Sequence, residues 1–282
     1  MTGSLLAALK GEAPQVTVEL RPPRAGLSST ESMDVWIDMY HAVRRLVGAH
    51  RYVFLTDNAV GAHEEENLAH LGANLSEETD PARLVPFLTC KHTLEHCLVY
   101  AERAWAQGFR ALTVLGGDRS VGAPRCVPHA EELRSLIRKR VPDLTLGGWA
   151  NPHRDAAWQA DFLEPERFRG EFFLSQVVSH HSADRVEALL AELRGRDNDV
   201  PGVFGVFFYR SANPGTLKRL SEFFPVPGEA LTREFEAGAS AEEVCARSVR
   251  ALRDAGARHV YVSNLGVRGA AATLDAILER VY

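Results

Sequence analysis

The chain has 282 residues, of which 45% are hydrophobic and 24% charged, and its formal net charge is −5. This composition is typical of a folded globular protein and excludes the disordered, collagen-like and coiled-coil classes. The pI of about 6.1 and the lack of a long basic run argue against a nucleic-acid partner, because such proteins usually carry a basic face.

Eight short runs rich in apolar, β-branched and aromatic residues recur along the chain. Most of them are apolar on both faces, which is typical of parallel strands buried on both sides. They cover residues 15–22, 51–57, 84–90, 111–118, 144–150, 172–178, 203–210 and 259–266. We expect each run to form one strand.

Amphipathic segments with helix-capping signals lie between these runs. Residues 92–108, 129–141 and 182–195 each place apolar side chains on one face, and residues 270–282 predict a closing helix. Ser240 and Glu243 form a capping box that opens another helix. The long gap before the eighth strand leaves room for an extra helical turn. Alternating units of about thirty residues predict an α/β fold, a (β/α)8 TIM barrel in a single domain over residues 1–282.

The sequence also predicts a soluble, cytoplasmic protein. Its first residues lack the apolar core of a secretory signal, and no apolar run is long enough to cross a membrane. The four cysteines are too few and too scattered for a disulfide scaffold. We therefore expect reduced thiols and no membrane partner, and the oligomeric state stays open, a homo-oligomer being compatible with the sequence.

Polar residues stand at the ends of most predicted strands, where the active sites of such barrels lie. A buried polar group must be hydrogen-bonded, so a ring of them at the ends of apolar strands indicates a function. The residues at the strand ends are Glu19, Thr56, Cys90, Asp118, Trp149, Gln176, Tyr209 and Asn264.

Glu19 is the most informative of these residues. It lies within an apolar strand that leaves through a rigid pair of prolines, Pro22 and Pro23. Desolvation is expected to raise the pKa of an inward carboxyl at a barrel mouth, which suits a general acid near neutral pH. The alternative is that Glu19 pairs with an arginine from a neighbouring strand.

Two histidine-containing patterns suggest other chemistry. Cys90, His92, His96 and Cys97 have a spacing compatible with zinc, but His96 and Cys97 cannot face the same way as Cys90, so we expect no metal site there. His180 and His181 follow the sixth strand, where one of them could meet a ligand phosphate, although simple solvent exposure is the favoured interpretation.

Several strand-end motifs together resemble a known family. The chain reads VELRPPR, FLTC, LGGD, WANPHRDAAWQAD, SQVV and YVSN in strand order. In this order and spacing it resembles the methylenetetrahydrofolate reductases over essentially its whole length. The resemblance implies a TIM-barrel flavoprotein of one-carbon metabolism and methionine biosynthesis. It implies an oxidoreductase that binds FAD and uses NADH or NADPH to reduce methylenetetrahydrofolate, a small-molecule folate substrate, to methyltetrahydrofolate.

The resemblance also implies roles for individual residues. Glu19 would be the general acid at the folate, and Asp118 would lie between the flavin and the pterin as a second catalytic group. The expected substrate-binding residues are Gln176, Tyr209 and Asn264. The expected cofactor-binding residues are Thr56, Asp118, Trp149, His153 and Asp161.

Departures from the family pattern leave the cofactor open. Gly116, Phe87 and Leu265 stand where the family has Arg, His and Arg. The Asn and Lys by which the family holds the dinucleotide are replaced near Glu164 and Phe168, and the seventh-strand exit lacks the family's proline-rich form. Several of the lost groups neutralise the pyrophosphate of FAD in the family, so a flavin-free reductase in which NADH reduces folate directly is an alternative. A non-catalytic folate- or flavin-binding barrel acting as a partner subunit, and a folate-linked demethylation enzyme on this barrel, are further hypotheses.

Overall fold

The protein is described here by a computed structural model that covers residues 4–24, 26–57, 79–118 and 122–282. Eight parallel strands pair in chain order and close into a barrel, because β1 pairs with both β2 and β8. The strands are β1 (Val16–Leu20), β2 (Val53–Leu55), β3 (Leu84–Thr89), β4 (Ala111–Leu115), β5 (Thr145–Ala150), β6 (Phe172–Ser175), β7 (Gly202–Phe207) and β8 (His259–Ser263). The predicted (β/α)8 barrel is confirmed.

Helices surround this barrel, and the predicted helical segments are confirmed as α3, α4, α7, α10 and α11. The helical turn expected before the eighth strand is α9. The α-helices of the described residues are α1 (Leu5–Lys10), α2 (Ser29–Gly48), α3 (Leu94–Ala106), α4 (Ala130–Arg140), α5 (Ala156–Leu163), α6 (Pro165–Phe168), α7 (Ala183–Gly195), α8 (Pro214–Leu220), α9 (Gly228–Glu236), α10 (Ala241–Asp254) and α11 (Ala270–Val281). None of them is long and apolar enough to span a membrane.

Each strand uses its two faces differently. In β1, Val16, Val18 and Leu20 pack in the layer between strands and helices, which leaves Thr17 and Glu19 facing the barrel interior. The interior is filled by a second apolar cluster that includes Phe54, Phe87, Phe172 and Tyr261. This two-sided burial explains why most of the strand runs are apolar at almost every position.

Helix α1 closes the amino-terminal end of the barrel. Its Leu5 and Leu9 belong to the interior cluster and are almost fully buried. His259, at the start of β8, accepts the Gln15 N–H at Nδ1 (3.1 Å) and donates from Nε2 to the Leu9 carbonyl (2.9 Å). Burial lowers the pKa of His259 to about 4, so the ring is neutral and fastens α1 to the barrel.

A third apolar cluster lies outside the barrel between β7 and the helices that follow it. Its buried members are Tyr209, Leu217, Leu231 and Val244, which come from the β7 exit, α8, α9 and α10. This satellite cluster uses the long connection between β7 and β8 to support the β7 exit.

Candidate active site at the barrel mouth

A carboxyl–hydroxyl pair joins β1 and β8 at the carboxyl-terminal end of the barrel. The Ser263 hydroxyl donates to Oε1 of Glu19 over 2.7 Å, and Glu19 is partly buried. Glu19 and Ser263 both stand near the ends of neighbouring strands, which explains why they meet. The hydroxyl therefore orients a carboxyl that faces the mouth.

Tyr261 forms a floor below this pair. Its hydroxyl donates to the Ser175 carbonyl on β6 over 2.6 Å, and its side chain is fully buried. A Cβ on Gly205 of β7 would lie 2.5 Å from the Tyr261 hydroxyl, so this position requires glycine. Burial and then the Glu19 charge raise the pKa of Tyr261 well above its usual value, which keeps the phenol neutral.

A second polar cluster stands at the ends of β2 and β3. Oδ2 of Asp57 accepts the backbone N–H of Thr89 (2.9 Å) and its hydroxyl (3.1 Å). The Nε2 atom of His92 lies 2.9 Å from the same oxygen. The sequence analysis did not include Asp57, although its position just after a strand end could have indicated a site residue. His92 therefore contacts Asp57, whereas Cys90 is buried in the strand–helix layer.

Two cations flank the turn that leaves β4. A Cβ on Gly116 would lie 2.6 Å from the guanidinium carbon of Arg125, and the same guanidinium donates to the Gly117 carbonyl. Gly117 has φ +72°, and a Cβ there would lie 2.7 Å from the Lys91 side chain. Asp118 follows this turn and is exposed at the rim. The sequence predicted the glycines and Asp118 but not Arg125, which follows in the same loop, or Lys91, which comes from the β3 exit.

Three predicted residues lie together at the exits of β5 and β6. Trp149 is half-buried and packs against the interior cluster. The Gln176 backbone donates to Ala150 (2.8 Å), while its side-chain Oε1 accepts the Val177 N–H (3.0 Å). His153 donates from Nε2 to the Val177 carbonyl over 2.9 Å, which holds its ring beside the β6 exit.

Thr56 and Asn264 also lie at the mouth. The Thr56 N–H donates to the Leu20 carbonyl over 3.1 Å, which places Thr56 beside the end of β1. Asn264 is exposed just after β8, has φ 69°, and donates from its side chain to the Phe208 carbonyl over 3.0 Å. It thereby joins the exits of β7 and β8.

The position of Tyr209 corrects the sequence prediction that this ring reaches the mouth. Its side chain is 6% exposed and packs with Leu217 and Leu231 in the satellite cluster. Phe207, which pairs with Ser263 in the register of β7 and β8, is more exposed. The two ring centroids are 4.9 Å apart. Phe207 therefore lines the mouth, and Tyr209 supports it from behind.

Asp161 lies on α5 and forms an ion pair with Arg196, which also lies 3.5 Å from Glu164. Arg196 follows the end of α7, just before β7 starts. The ion pair therefore joins two parts of the outer helical layer, and a role for Asp161 in binding a cofactor stays a prediction.

No protein-family model and no curated protein matches the sequence. The chain is similar to solved structures across its length. One is an uncharacterized protein from Clostridium thermocellum that binds two copies of 5-methyl-5,6,7,8-tetrahydrofolic acid, with a TM-score of 0.68 at 14% identity, covering 95% of this chain and 96% of that one. Another is an F420-dependent secondary alcohol dehydrogenase in complex with an F420-acetone adduct, with a TM-score of 0.57 at 11% identity, covering 94% and 99%.

These likenesses show a shared barrel fold. The first neighbour shares this fold over nearly its whole length.

Proposed function

We propose that this barrel is an oxidoreductase that reduces 5,10-methylenetetrahydrofolate to 5-methyltetrahydrofolate at its mouth, with NADH or NADPH as the hydride source. The observation that carries the proposal is the inward Glu19 carboxyl, oriented by Ser263 at 2.7 Å. The half-buried rings of Trp149 and Phe207 stand at the same end of the barrel and suit a flat ligand. The sequence resemblance and the folate-binding neighbour support the choice of substrate.

Glu19 is proposed to act as the proton donor. Opening the five-membered ring of the substrate requires N10 to leave, and a proton from the Glu19 carboxyl to N10 makes it a better leaving group. The remaining N5 iminium then accepts a hydride at the methylene carbon, which becomes the N5 methyl group. One proton and one hydride are consumed, and NAD(P)+ is released. The buried Tyr261 keeps water from reaching this pair from below.

The other mouth residues are proposed to hold and polarise the folate. Gln176 offers an amide to the pterin, and Asn264 lies at the rim on the side of β8. Phe207, in place of Tyr209, is proposed to stack on the pterin. Asp118, an exposed carboxylate at the end of β4, is proposed to stabilise the cationic iminium.

The mouth fits part of FAD. When bound, FAD would relay the hydride from NAD(P)H to the folate. Thr56, Trp149 and His153 stand at the exits of β2 and β5, where they suit the ring and its ribityl chain. Arg125 and Lys91 beside the β4 turn supply cations for a pyrophosphate, in place of the arginine that the family has at position 116.

The flavin-free reductase is the second candidate, and one observation favours it. The carboxylate of Asp161, one of the expected cofactor-binding groups, is paired with Arg196 on the outer helical layer. An Asp161 held by Arg196 is less available to FAD, which favours an enzyme without flavin. In the flavin-free enzyme the nicotinamide ring would lie at the mouth and pass its hydride to the folate directly.

One assay separates these candidates. Purified protein is examined by visible absorption before and after incubation with FAD, and then given methylenetetrahydrofolate with NADH or NADPH, with 5-methyltetrahydrofolate measured by mass spectrometry. Yellow, active protein indicates the flavin enzyme, and colourless, active protein indicates the flavin-free one. Protein that binds folate without forming the product would contradict the reductase and favour a non-catalytic barrel.

A further inference from the structure

Two histidines and a glutamate converge outside the barrel wall. His180 and His181 form a 3-10 turn between β6 and α7, and Glu234 lies on α9. Their ligand atoms all lie within 4.8 Å of one another. Nε2 of His180 is 2.8 Å, and Nε2 of His181 is 2.6 Å, from the same oxygen, Oε1 of Glu234. Two distant segments therefore direct three ligand atoms to one point, where the sequence had favoured solvated loop histidines.

Neighbouring residues fix the direction of these side chains. Nδ1 of His180 lies 2.9 Å from the buried Ser248 hydroxyl on α10, and that hydroxyl lies 3.3 Å from the Val244 carbonyl. When a metal ion binds Nε2 of His180, the ring N–H lies at Nδ1 and donates to the Ser248 hydroxyl, which in turn donates to the Val244 carbonyl. Arg247 donates to the other Glu234 oxygen over 2.8 Å. Such outer contacts are typical of metal ligands.

The cluster is open to solvent on one side. The His181 side chain is 29% exposed, so a metal ion can reach the three ligand atoms from the surface.

We propose that His180, His181 and Glu234 bind a divalent transition-metal ion, with Zn²⁺ the best match. Two imidazole nitrogens and one carboxylate oxygen are ligands that zinc prefers, and water would take the fourth tetrahedral position. Zinc–ligand bonds of about 2.0–2.2 Å place tetrahedral ligands about 3.3–3.6 Å apart. The contacts to Oε1, now 2.8 and 2.6 Å, therefore lengthen by about 0.5–1.0 Å when the ion replaces the protons between them.

The bound ion would connect two parts of the fold. It would join the β6 exit to α9, and α9 contributes Leu231 to the satellite cluster. That cluster supports Phe207 through Tyr209. We therefore expect the ion to stabilise the side of the mouth formed by β6 and β7. The proposal concerns metal binding and does not depend on the proposed reductase activity.

The test measures zinc uptake by full-length protein that has been stripped with a chelator and dialysed. Isothermal titration and metal analysis should find a site that Glu234→Gln and His181→Asn each weaken by about tenfold or more. Ser248→Ala should weaken it by about tenfold, as for other residues that orient a ligand. The matched control is His129→Asn with Glu131→Gln, because these residues form another histidine–glutamate pair, 4.0 Å apart, on α4. The control should bind zinc like the unchanged protein, and zinc should raise the melting temperature of both.

Two results would overturn the proposal. One is no zinc uptake at micromolar concentrations, and the other is equal affinity in the unchanged protein, Glu234→Gln and His181→Asn. Circular dichroism checks the fold of each variant. If Glu234→Gln misfolds, His181→Asn decides alone, because His181 is exposed at the surface.

Discussion

The two ends of the barrel differ in chemistry, and the inward face of β8 shows the contrast within a single strand. Its inward residues are His259, Tyr261 and Ser263. His259 fastens α1 at the amino-terminal end, Tyr261 bridges to β6 in the middle, and Ser263 orients Glu19 at the mouth. Along this one face of β8, the side chains at the amino-terminal end and in the middle stabilise the fold, and the last one positions a reactive group.

The two ends also differ in what covers them. At the amino-terminal end, Leu5 and Leu9 insert into the apolar interior, and the His259 ring is neutral. At the mouth, Glu19 and Asp57 are each oriented by hydroxyl groups from a neighbouring strand. Substitutions at the amino-terminal end should therefore lower stability without changing activity. Substitutions at the mouth should lower activity with little effect on stability.

The largest effect is expected at the mouth. Glu19→Gln keeps the size and polarity of the side chain but removes the acid, so folate reduction should fall by about a hundredfold or more, as for other general acids. The melting temperature should change little, because the amide oxygen can still accept from Ser263. Steady-state kinetics and thermal unfolding check both parts. Turnover close to that of the unchanged protein would remove Glu19 from the mechanism.

The next effect belongs to the amino-terminal end and depends on pH. The pKa of His259 is about 4 in the folded protein, against about 6.5 when unfolded. As the pH falls, the unfolded chain therefore binds the proton before the folded protein does. The contribution of neutral His259 to the free energy of unfolding is complete above about pH 6.5 and is lost as the pH falls through 4. The loss is about 3 kcal/mol. Urea unfolding between pH 7 and 4 should show it.

His259→Gln provides the control for this pH effect, because its amide stays neutral over the whole range and can still donate to Leu9. The difference in stability between the unchanged protein and the variant should shrink as the pH falls from 7 to 4. Folate reduction at pH 7 should be unchanged. A difference that stays constant with pH would show that His259 is not the titrating group.

A smaller effect is expected at Gln176. Gln176→Ala removes the amide proposed to pair with the pterin and should weaken folate binding by about 1–3 kcal/mol. Binding of NADH or NADPH should change far less. Calorimetric titration measures the binding of folate and of NADH or NADPH separately. Equal weakening of both would place the pterin elsewhere in the mouth.

The smallest effect is expected at Asp161, which lies on α5 in the outer helical layer. Because its carboxylate pairs with Arg196 at the surface, Asp161→Ala should cost less than about 1 kcal/mol of stability. It should leave the KM for NADH or NADPH, and any retention of FAD, unchanged within about twofold. A variant that lost cofactor quickly would restore Asp161 to the cofactor site.

The fold could be predicted from the sequence because most strands are apolar on both faces. At the β7 exit this pattern was not enough. Phe207 and Tyr209 are two residues apart and would share a face in a continuous strand, but the chain leaves the barrel after Phe207, and α8 and α9 cover Tyr209. The path of the chain after the last strand residue is set by tertiary packing, which strand periodicity does not encode.

The site was predictable where a residue lies at a strand end, as with Glu19 and Gln176. Contacts between segments that are distant in the sequence could not be predicted. Asp57 and His92 are 35 residues apart, and Arg196 and Asp161 also 35. Nothing in either local sequence specifies its partner, since exposed charges of both signs are common on helices. The His180–His181–Glu234 cluster was missed for the same reason.

The most direct test of the central claim follows the hydride itself. The protein is mixed with methylenetetrahydrofolate and NADH that carries two deuterium atoms at C4, and the mass of the folate product is measured. A reductase forms 5-methyltetrahydrofolate, with deuterium in the methyl group for direct transfer, or with the label lost to solvent if FAD relays the hydride. Folate that binds and is recovered as methylenetetrahydrofolate, with NADH unconsumed, would rule out the proposed reaction.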